Sequence, residues 1–288
     1  MKRCVLLFSI FLCSFSAFSQ SFHIGLFGGL SNYQGDLINN LYVKNSTKGA
    51  GGVNLQYEVS ERFLLRAGFT FAKVTGNDDF NSKTYLQARN FHFESSISEF
   101  SLLGEFSPFS LYNMRWTPYV FGGIALYHFN PYTKDSLNQK VFLKPLSTEG
   151  QGLEGYPERK PYTLTQFALP FGGGIKYAIS DNIRIGAEVG IRKLFTDYLD
   201  DVSTNYADPA DLLEQRGQLA VDYSYRGDEV PGGDPAYPAK GAQRGGAKYK
   251  DLYYFSGITL SFRLGASNGS TFGGRGKRNN LGCPKVPF

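Results

Sequence analysis

Residues 165–201 read TQFALPFGGGIKYAISDNIRIGAEVGIRKLFTDYLDD, and this stretch limits the folds open to the chain more than any other. Phe167, Leu169, Phe171, Ile175, Tyr177 and Ile179 share one parity; Gln166, Ala168, Gly172, Gly174 and Lys176 share the other. After Ser180-Asp181-Asn182 the alternation resumes, with Ile183, Ile185, Ala187, Val189 and Ile191 against Arg184, Gly186, Glu188, Gly190 and Arg192. Successive side chains of a strand point to opposite faces, so this is a hairpin with one apolar face and one polar or small face. Ser, Asp and Asn suit the tight turn. Each arm reaches the ~9–11 residues that cross a bilayer at barrel tilt.

The start of the chain, MKRCVLLFSIFLCSFSAFSQ, has a basic n-region (Lys2, Arg3), an apolar core and a small-x-small site at Ala17-Phe18-Ser19. It reads as a secretory signal over residues 1–19, too short in its apolar run for a spanning helix. Leu12 before Cys13 is large where a lipobox needs a small residue. Of the three cysteines only Cys283 follows the signal, so no disulfide can form within the mature chain. The 30 Lys and Arg face 25 Asp and Glu, and loss of Lys2 and Arg3 leaves 28 against 25. An excess this small does not suggest nucleic acid. Aromatics at 16% with 34 glycines suit strands with aromatic girdles. Nothing after residue 20 is apolar enough for a spanning helix, and a membrane protein without one must be a closed barrel.

Eight candidate strands follow, at 22–33, 48–59, 63–74, 91–106, 117–129, the two arms of the hairpin, and 253–264. In the fourth the parity shifts near Ser98-Glu99, which reads as a bulge or a misplaced boundary. Short links at 60–62, 107–116 and 180–182 alternate with long ones at 34–47, 75–90, 130–161 and 195–252. Short periplasmic turns alternating with long outside loops mark an all-β, eight-stranded antiparallel transmembrane β-barrel of the outer-membrane type, over residues 20–264. Such a barrel is narrow and filled by side chains. The inward parity carries Glu58, Arg66, Glu94, Lys176, Arg184, Glu188, Arg192 and Arg263, which should pair into a salt-bridged plug. A selective channel is the functional alternative. Lys73 falls outward near a strand end and can snorkel to headgroups.

Beyond the strands, residues 208–220 have the pattern of a short helix, and 227–246 is rich in Gly and Pro and reads as a mobile segment. Residues 265–288 form a Gly/Ser/Asn-rich basic tail with Arg275, Lys277, Arg278 and Lys285, read as a flexible periplasmic extension. Catalysis at the outer rim would need His23, His92 or His128 beside a serine and a carboxylate, and no spacing motif supports that. His92 and His128 read as interfacial polar residues. Asp197, Asp200 and Asp201 are either calcium ligands or turn-capping carboxylates; their spacing does not match the calcium loop. Gly172-Gly173-Gly174 lacks the Lys-Ser/Thr and helix of a phosphate loop and marks a bend or close packing. The sequence therefore names no catalytic residue, cofactor or metal.

Several segments together resemble one family: 27–37 (FGGLSNYQGDL), 116–123 (WTPYVFGG), 167–177, FTDYLDDVST at 195–204, and a Cys-Pro near the end. They look like the PorG-like outer-membrane barrels of Bacteroidetes, over nearly the whole mature chain. The resemblance implies an outer-membrane component of the type IX secretion apparatus, associated with gliding or protein export, and implies no catalytic residues. A narrow filled barrel cannot pass a folded protein, so a secretion role would be that of an anchor. The expected partners are outer-membrane lipid and periplasmic ring components of the apparatus. The docking candidates are Phe109, Leu111, Tyr112, Met114 and Trp116 in the 107–116 link, together with Arg275, Lys277 and Arg278 in the tail. Membrane-interface aromatics and a solvated tail are the plainer readings. An adhesion or ligand-binding barrel acting through the loops at 130–161 and 195–252 is the alternative function.

Overall fold

The computed structural model describes residues 21–264, apart from 41, 82 and 249. The expected signal and the basic tail, with Arg275, Lys277, Arg278 and Cys283, lie outside the described residues.

Eight long strands close into a barrel: β1 (Phe22–Gln34), β2 (Lys48–Glu58), β3 (Phe63–Asn77), β4 (His92–Phe106), β5 (Trp116–His128), β8 (Thr165–Ala178), β9 (Ile183–Leu194) and β10 (Leu252–Leu264). Each pairs antiparallel with its neighbours in chain order, β1 with β10 and β3 with β4 completing the ring. Two short strands, β6 (Pro131–Lys134) and β7 (Lys140–Phe142), extend the sheet from the outer end of β4. They lie inside the 130–161 link, where the sequence shows no alternation long enough to reveal them.

The two tightest turns are built alike. Ser60 Oγ accepts from the Phe63 amide at 3.1 Å and Ser180 Oγ from the Ile183 amide at 3.2 Å. A hydroxyl that takes up a turn amide is the reason serine starts both links. These turns lie at the periplasmic end of a barrel of this type.

The outward parity is apolar and uncovered: Val53, Phe71, Val120, Phe167 and Ile258 are all more than half exposed. A soluble monomer does not present a continuous band of this kind, whereas lipid requires it. Near the periplasmic rim the rings of Phe22 and Tyr57, and of Phe63 and Phe106, meet across strands with centroids 5.0 Å apart. Trp116 stands opposite Tyr177 at the same end. Aromatics at this level are an interfacial girdle.

Four expectations are corrected. The β3–β4 ladder runs without interruption from Phe63 opposite Phe106 to Asn77 opposite His92, so there is no bulge at Ser98-Glu99. Glu94 consequently falls on the outward parity, not in the lumen; it accepts from Tyr132 Oη at 2.8 Å and lies 3.7 Å from Lys73. Residues 208–220 do not make one helix. Gly217, at φ +86°, separates α2 (Pro209–Arg216) from α3 (Gln218–Ser224) after the very short α1 (Thr84–Gln87). The Gly/Pro-rich segment 227–246 is tied to the rest: Asn205 and Gln243 form a β-bridge, and Arg244 is buried.

The apolar core sits in the outer half of the molecule. Tyr33, Phe93, Ile97, Tyr127, Leu194 and Tyr253, facing into the barrel, pack with Leu37, Phe129, Leu146, Leu199, Val202 and Leu212 from the long loops. A column of stacked rings runs Tyr127, Phe129, Tyr162, Tyr198, with successive centroids 5.5, 6.2 and 4.9 Å apart. The long loops thus fold into a cap continuous with the contents of the barrel.

Candidate functional site

Among the described residues, the lumen holds four cation–carboxylate pairs at successive levels. Nearest the periplasm, Arg184 Nη1 lies 2.5 Å from Glu58 Oε1, and Tyr112 Oη donates to the other Glu58 oxygen at 2.6 Å. Lys176 pairs with Glu105, its ammonium 4.5 Å from the centre of the Tyr119 ring. Arg66 Nη1 meets Glu188 Oε2 at 2.7 Å, and Tyr119 Oη donates to the same oxygen at 2.6 Å. Arg192 donates twice to Glu99, which also accepts from Tyr253 Oη at 2.7 Å. The four cations balance the four carboxylates, as a low-dielectric interior requires. Each pair joins strands that are not neighbours, so the plug braces the barrel across its bore.

Of the eight residues that parity placed in the lumen, all but Glu94 face inward, and within that set only Arg66 with Glu188 and Arg184 with Glu58 meet. Lys176 and Arg192 take Glu105 and Glu99, which the sequence reading missed because it lost the phase of β4. Their signal was available: both share the odd parity of Ser95, Ile97, Ser101 and Leu103, all buried. Arg263 is half-buried at the periplasmic end, 6.0 Å from the Tyr112 ring centre. The gaps left in the lumen are small: about 30 Å³ beside Arg66, Glu188 and Arg192, and about 20 Å³ beside Glu58, Glu105 and Arg184. Each is of the size that holds a water molecule. The bore is filled.

Glycine lets the rings into this space. An added Cβ on Gly190 would stand 2.7 Å from Phe121, and one on Gly257 would stand 2.8 Å from Phe27 and 2.5 Å from the Gly28 carbonyl. These glycines serve close packing, as read for Gly172-Gly173-Gly174.

Above the plug, the Thr-Asp-Tyr-Leu-Asp-Asp segment turns its carboxylates inward. Asp200 accepts from Tyr33 Oη at 2.5 Å and from the Val202 amide at 2.9 Å. Asp201 accepts from Thr148 Oγ1 at 2.5 Å and from Tyr162 Oη at 2.7 Å. Asp197 accepts from Ser203 Oγ at 2.8 Å. Each has its own donors, and among the described residues no three His, Cys, Asp or Glu side chains converge as a metal would need. Burial pushes the Asp197 and Asp201 carboxyls up to about 6, against the lowering pull of Ser203 on the first and Arg244 on the second. Asp200 and Asp251, whose carboxylates both approach Tyr33 Oη, are raised well above the usual range by burial and by neighbouring carboxylates. Arg244 ties the cap together: Nη1 donates to Glu149 Oε1 at 3.0 Å and to the Asp201 carbonyl at 2.7 Å.

The three histidines lie apart: two meet a threonine hydroxyl and one is enclosed in the lumen. His92 contacts Thr133 Oγ1 at 2.7 Å and Arg226 Nη1 at 3.0 Å, half-buried under the cap; His128 Nδ1 lies 2.9 Å from Thr165 Oγ1. His23 is buried in the lumen, and neither ring nitrogen has a protein partner among the described residues.

In the 107–116 link, Phe109, Met114 and Trp116 are exposed, with Phe109 and Trp116 edge to face at 6.3 Å. Leu111 and Tyr112 are not surface candidates, which corrects the sequence reading: Leu111 is buried, and Tyr112 sends its hydroxyl to Glu58 inside the barrel.

A closed eight-stranded barrel with an apolar outer band, an ion-paired lumen and a packed outer cap defines an outer-membrane β-barrel protein, located in the outer membrane. The chain belongs to the family described as a domain of unknown function, DUF6089, which matches residues 2–215. No curated protein matches it in sequence. Among solved structures, Neisserial surface protein A is similar at 7% identity and a TM-score of 0.44, over 86% of this chain and all of that one (100%). A major outer membrane protein from Thermus thermophilus gives 12% identity and a TM-score of 0.40, over 86% and 100%. OprG from Pseudomonas aeruginosa gives 8% and 0.39, over 86% and 98%.

Proposed function

We propose that this barrel is a non-enzymatic anchor in the outer membrane for a protein-secretion assembly of the type IX class, engaged from its periplasmic face. The filled lumen carries this reading. Four buried ion pairs and gaps of water size leave no path for a polypeptide, so a part in export is the part of a membrane-fixed organiser. The Phe109, Met114 and Trp116 patch supports the periplasmic direction, because aromatics and Met are the common anchors of interfaces. Trp116 also belongs to the girdle level, which makes Phe109 and Met114 the more discriminating positions. The tail residues Arg275, Lys277 and Arg278 are a second contact for periplasmic ring components. The test is truncation after Leu264 combined with Phe109→Ser and Met114→Ser, with barrel insertion confirmed by heat-modifiable migration. Loss of co-purifying ring components together with loss of cargo from the medium is the expected outcome. Full retention of both overturns the assignment.

A further inference from the structure

At the outer end, a cleft of about 840 Å³ opens between α1 and the 238–248 segment. That is within the size range of small-molecule and sugar-sized sites, ~300–1,000 Å³. Its floor is firm. Arg89 is held by Asp78 at 2.7 and 3.1 Å, and Arg244 by Glu149 at 3.0 Å, so neither guanidinium is offered to a ligand. One wall is aromatic: the Tyr206 and Tyr225 rings meet at 6.2 Å and both pack on Tyr237 at 5.7 Å. On the opposite side Tyr85 is 67% exposed, with Lys83 5.8 Å from its ring centre. Lys83 has no carboxylate partner among the described residues. Between the walls are Asp36, with one carboxylate oxygen on the Gly246 amide at 2.8 Å, and Gln243, whose amide nitrogen donates to Gly245. The second Asp36 oxygen and the Gln243 carbonyl oxygen remain as acceptors.

We infer that this cleft binds an acidic glycan, with a pyranose ring on Tyr85, hydroxyls on Asp36 and Gln243, and a sugar carboxylate at Lys83. The chemistry fits that class better than others. A pyranose has apolar C–H faces and a rim of hydroxyls, which match tyrosine faces interleaved with acceptors. An acyl chain would cover the free Asp36 oxygen, the Gln243 side-chain oxygen and Lys83 without a hydrogen bond to any of them, which would be costly. A peptide adding as a strand would need an open sheet edge, and these walls are a helix and a loop. An exposed tyrosine beside a lysine with no carboxylate partner among the described residues is what a carboxylated sugar would cover. The site is independent of any secretion role, since it lies at the opposite end from Phe109 and Met114.

The experiment titrates the full-length barrel in detergent micelles with tetragalacturonate, and with galactotetraose as the uncharged probe, by calorimetry. Saturable binding of tetragalacturonate is expected, weakened about tenfold by Tyr85→Ala and by Lys83→Ala, each a surface change that leaves the fold intact. Tyr85→Phe should keep the affinity, because the ring face does the binding. No saturable binding at about 10 mM tetragalacturonate, a Kd too weak for recognition, overturns the inference. So does equal affinity for galactotetraose, or affinity unchanged in both alanine variants.

Discussion

Arg192 and Glu99 meet across the bore through two hydrogen bonds, Nε to Oε2 at 3.1 Å and Nη2 to Oε1 at 3.2 Å. The Glu99 side chain is fully buried and that of Arg192 is 7% exposed. Removing one partner leaves an uncompensated buried charge, which costs about 3–5 kcal/mol, whereas replacing both by apolar groups of similar volume is close to neutral. Glu99→Ala should therefore lower the urea midpoint of the refolded barrel strongly. Arg192→Met with Glu99→Leu should recover part of the loss, since the buried Tyr253 hydroxyl still lacks its acceptor. Equal destabilisation by the single and double changes would show that the pair matters through packing alone.

Gly257 and Gly28 give a contrast within one ladder. A side chain on Gly257 meets backbone, with Gly28 O at 2.5 Å and Gly29 Cα at 2.7 Å, while Gly28 has open space on its own face. Backbone in a closed ladder cannot step aside, so Gly257→Val should cost about 1–3 kcal/mol or block assembly. Gly28→Val, facing lipid, should be tolerated. The folded fraction on an unheated gel after refolding into micelles reads both.

The barrel was legible because lipid outside and polar groups inside impose opposite chemistry on alternate residues, and β3, β8 and β9 carry that contrast along their length. β4 does not. Its outer end pairs with β6, and there outward Glu94, Ser96 and Ser98 are as polar as the inward Ser95 and Glu99, so the phase disappears. That loss hid Glu99 and Glu105 and put Glu94 in the wrong place. The cap was hidden for another reason. Its Gly, Pro and Asp look like solvated loop, yet Asp200 and Asp201 serve as acceptors for Tyr33 and Tyr162, and one buried arginine, Arg244, joins the 195–252 loop to the 130–161 loop. Such long-range pairings have no local period.

The cap should also respond to pH. Asp197 and Asp201 have folded values of about 6, raised from an unfolded value of 3.8. Carboxyls raised on folding favour the protonated form, so their contribution is full below about pH 4 and is lost as pH rises through about 6. The groups facing Asp201 are Thr148, Tyr162, Arg244 and Glu149; burial and Glu149 raise it, while Arg244 and the two hydroxyl donors oppose the shift. Hydrogen exchange of residues 148–162 and 197–204 should be slower at pH 4.5 than at pH 7 after correction for intrinsic rates. Asp201→Asn, neutral at both values, should reduce the difference. An unchanged difference would place the pH response elsewhere.

Val120 tests the membrane assignment itself. It is 60% exposed, lies on the outward parity of β5 between Trp116 and Ile124, and stands opposite Gly173 of β8. No protein group covers it, so in water Val120→Arg would be near neutral or would improve solubility. In lipid the same change places a guanidinium in the hydrocarbon layer, at a cost of about 2–4 kcal/mol near the midplane. Refolding into phosphatidylcholine vesicles, followed by urea titration, should show that loss. Tyr177→Arg, at the periplasmic girdle, should cost about 0–1 kcal/mol, because an arginine there reaches the headgroups. Equal, small effects at both positions would mean that the apolar band does not face lipid.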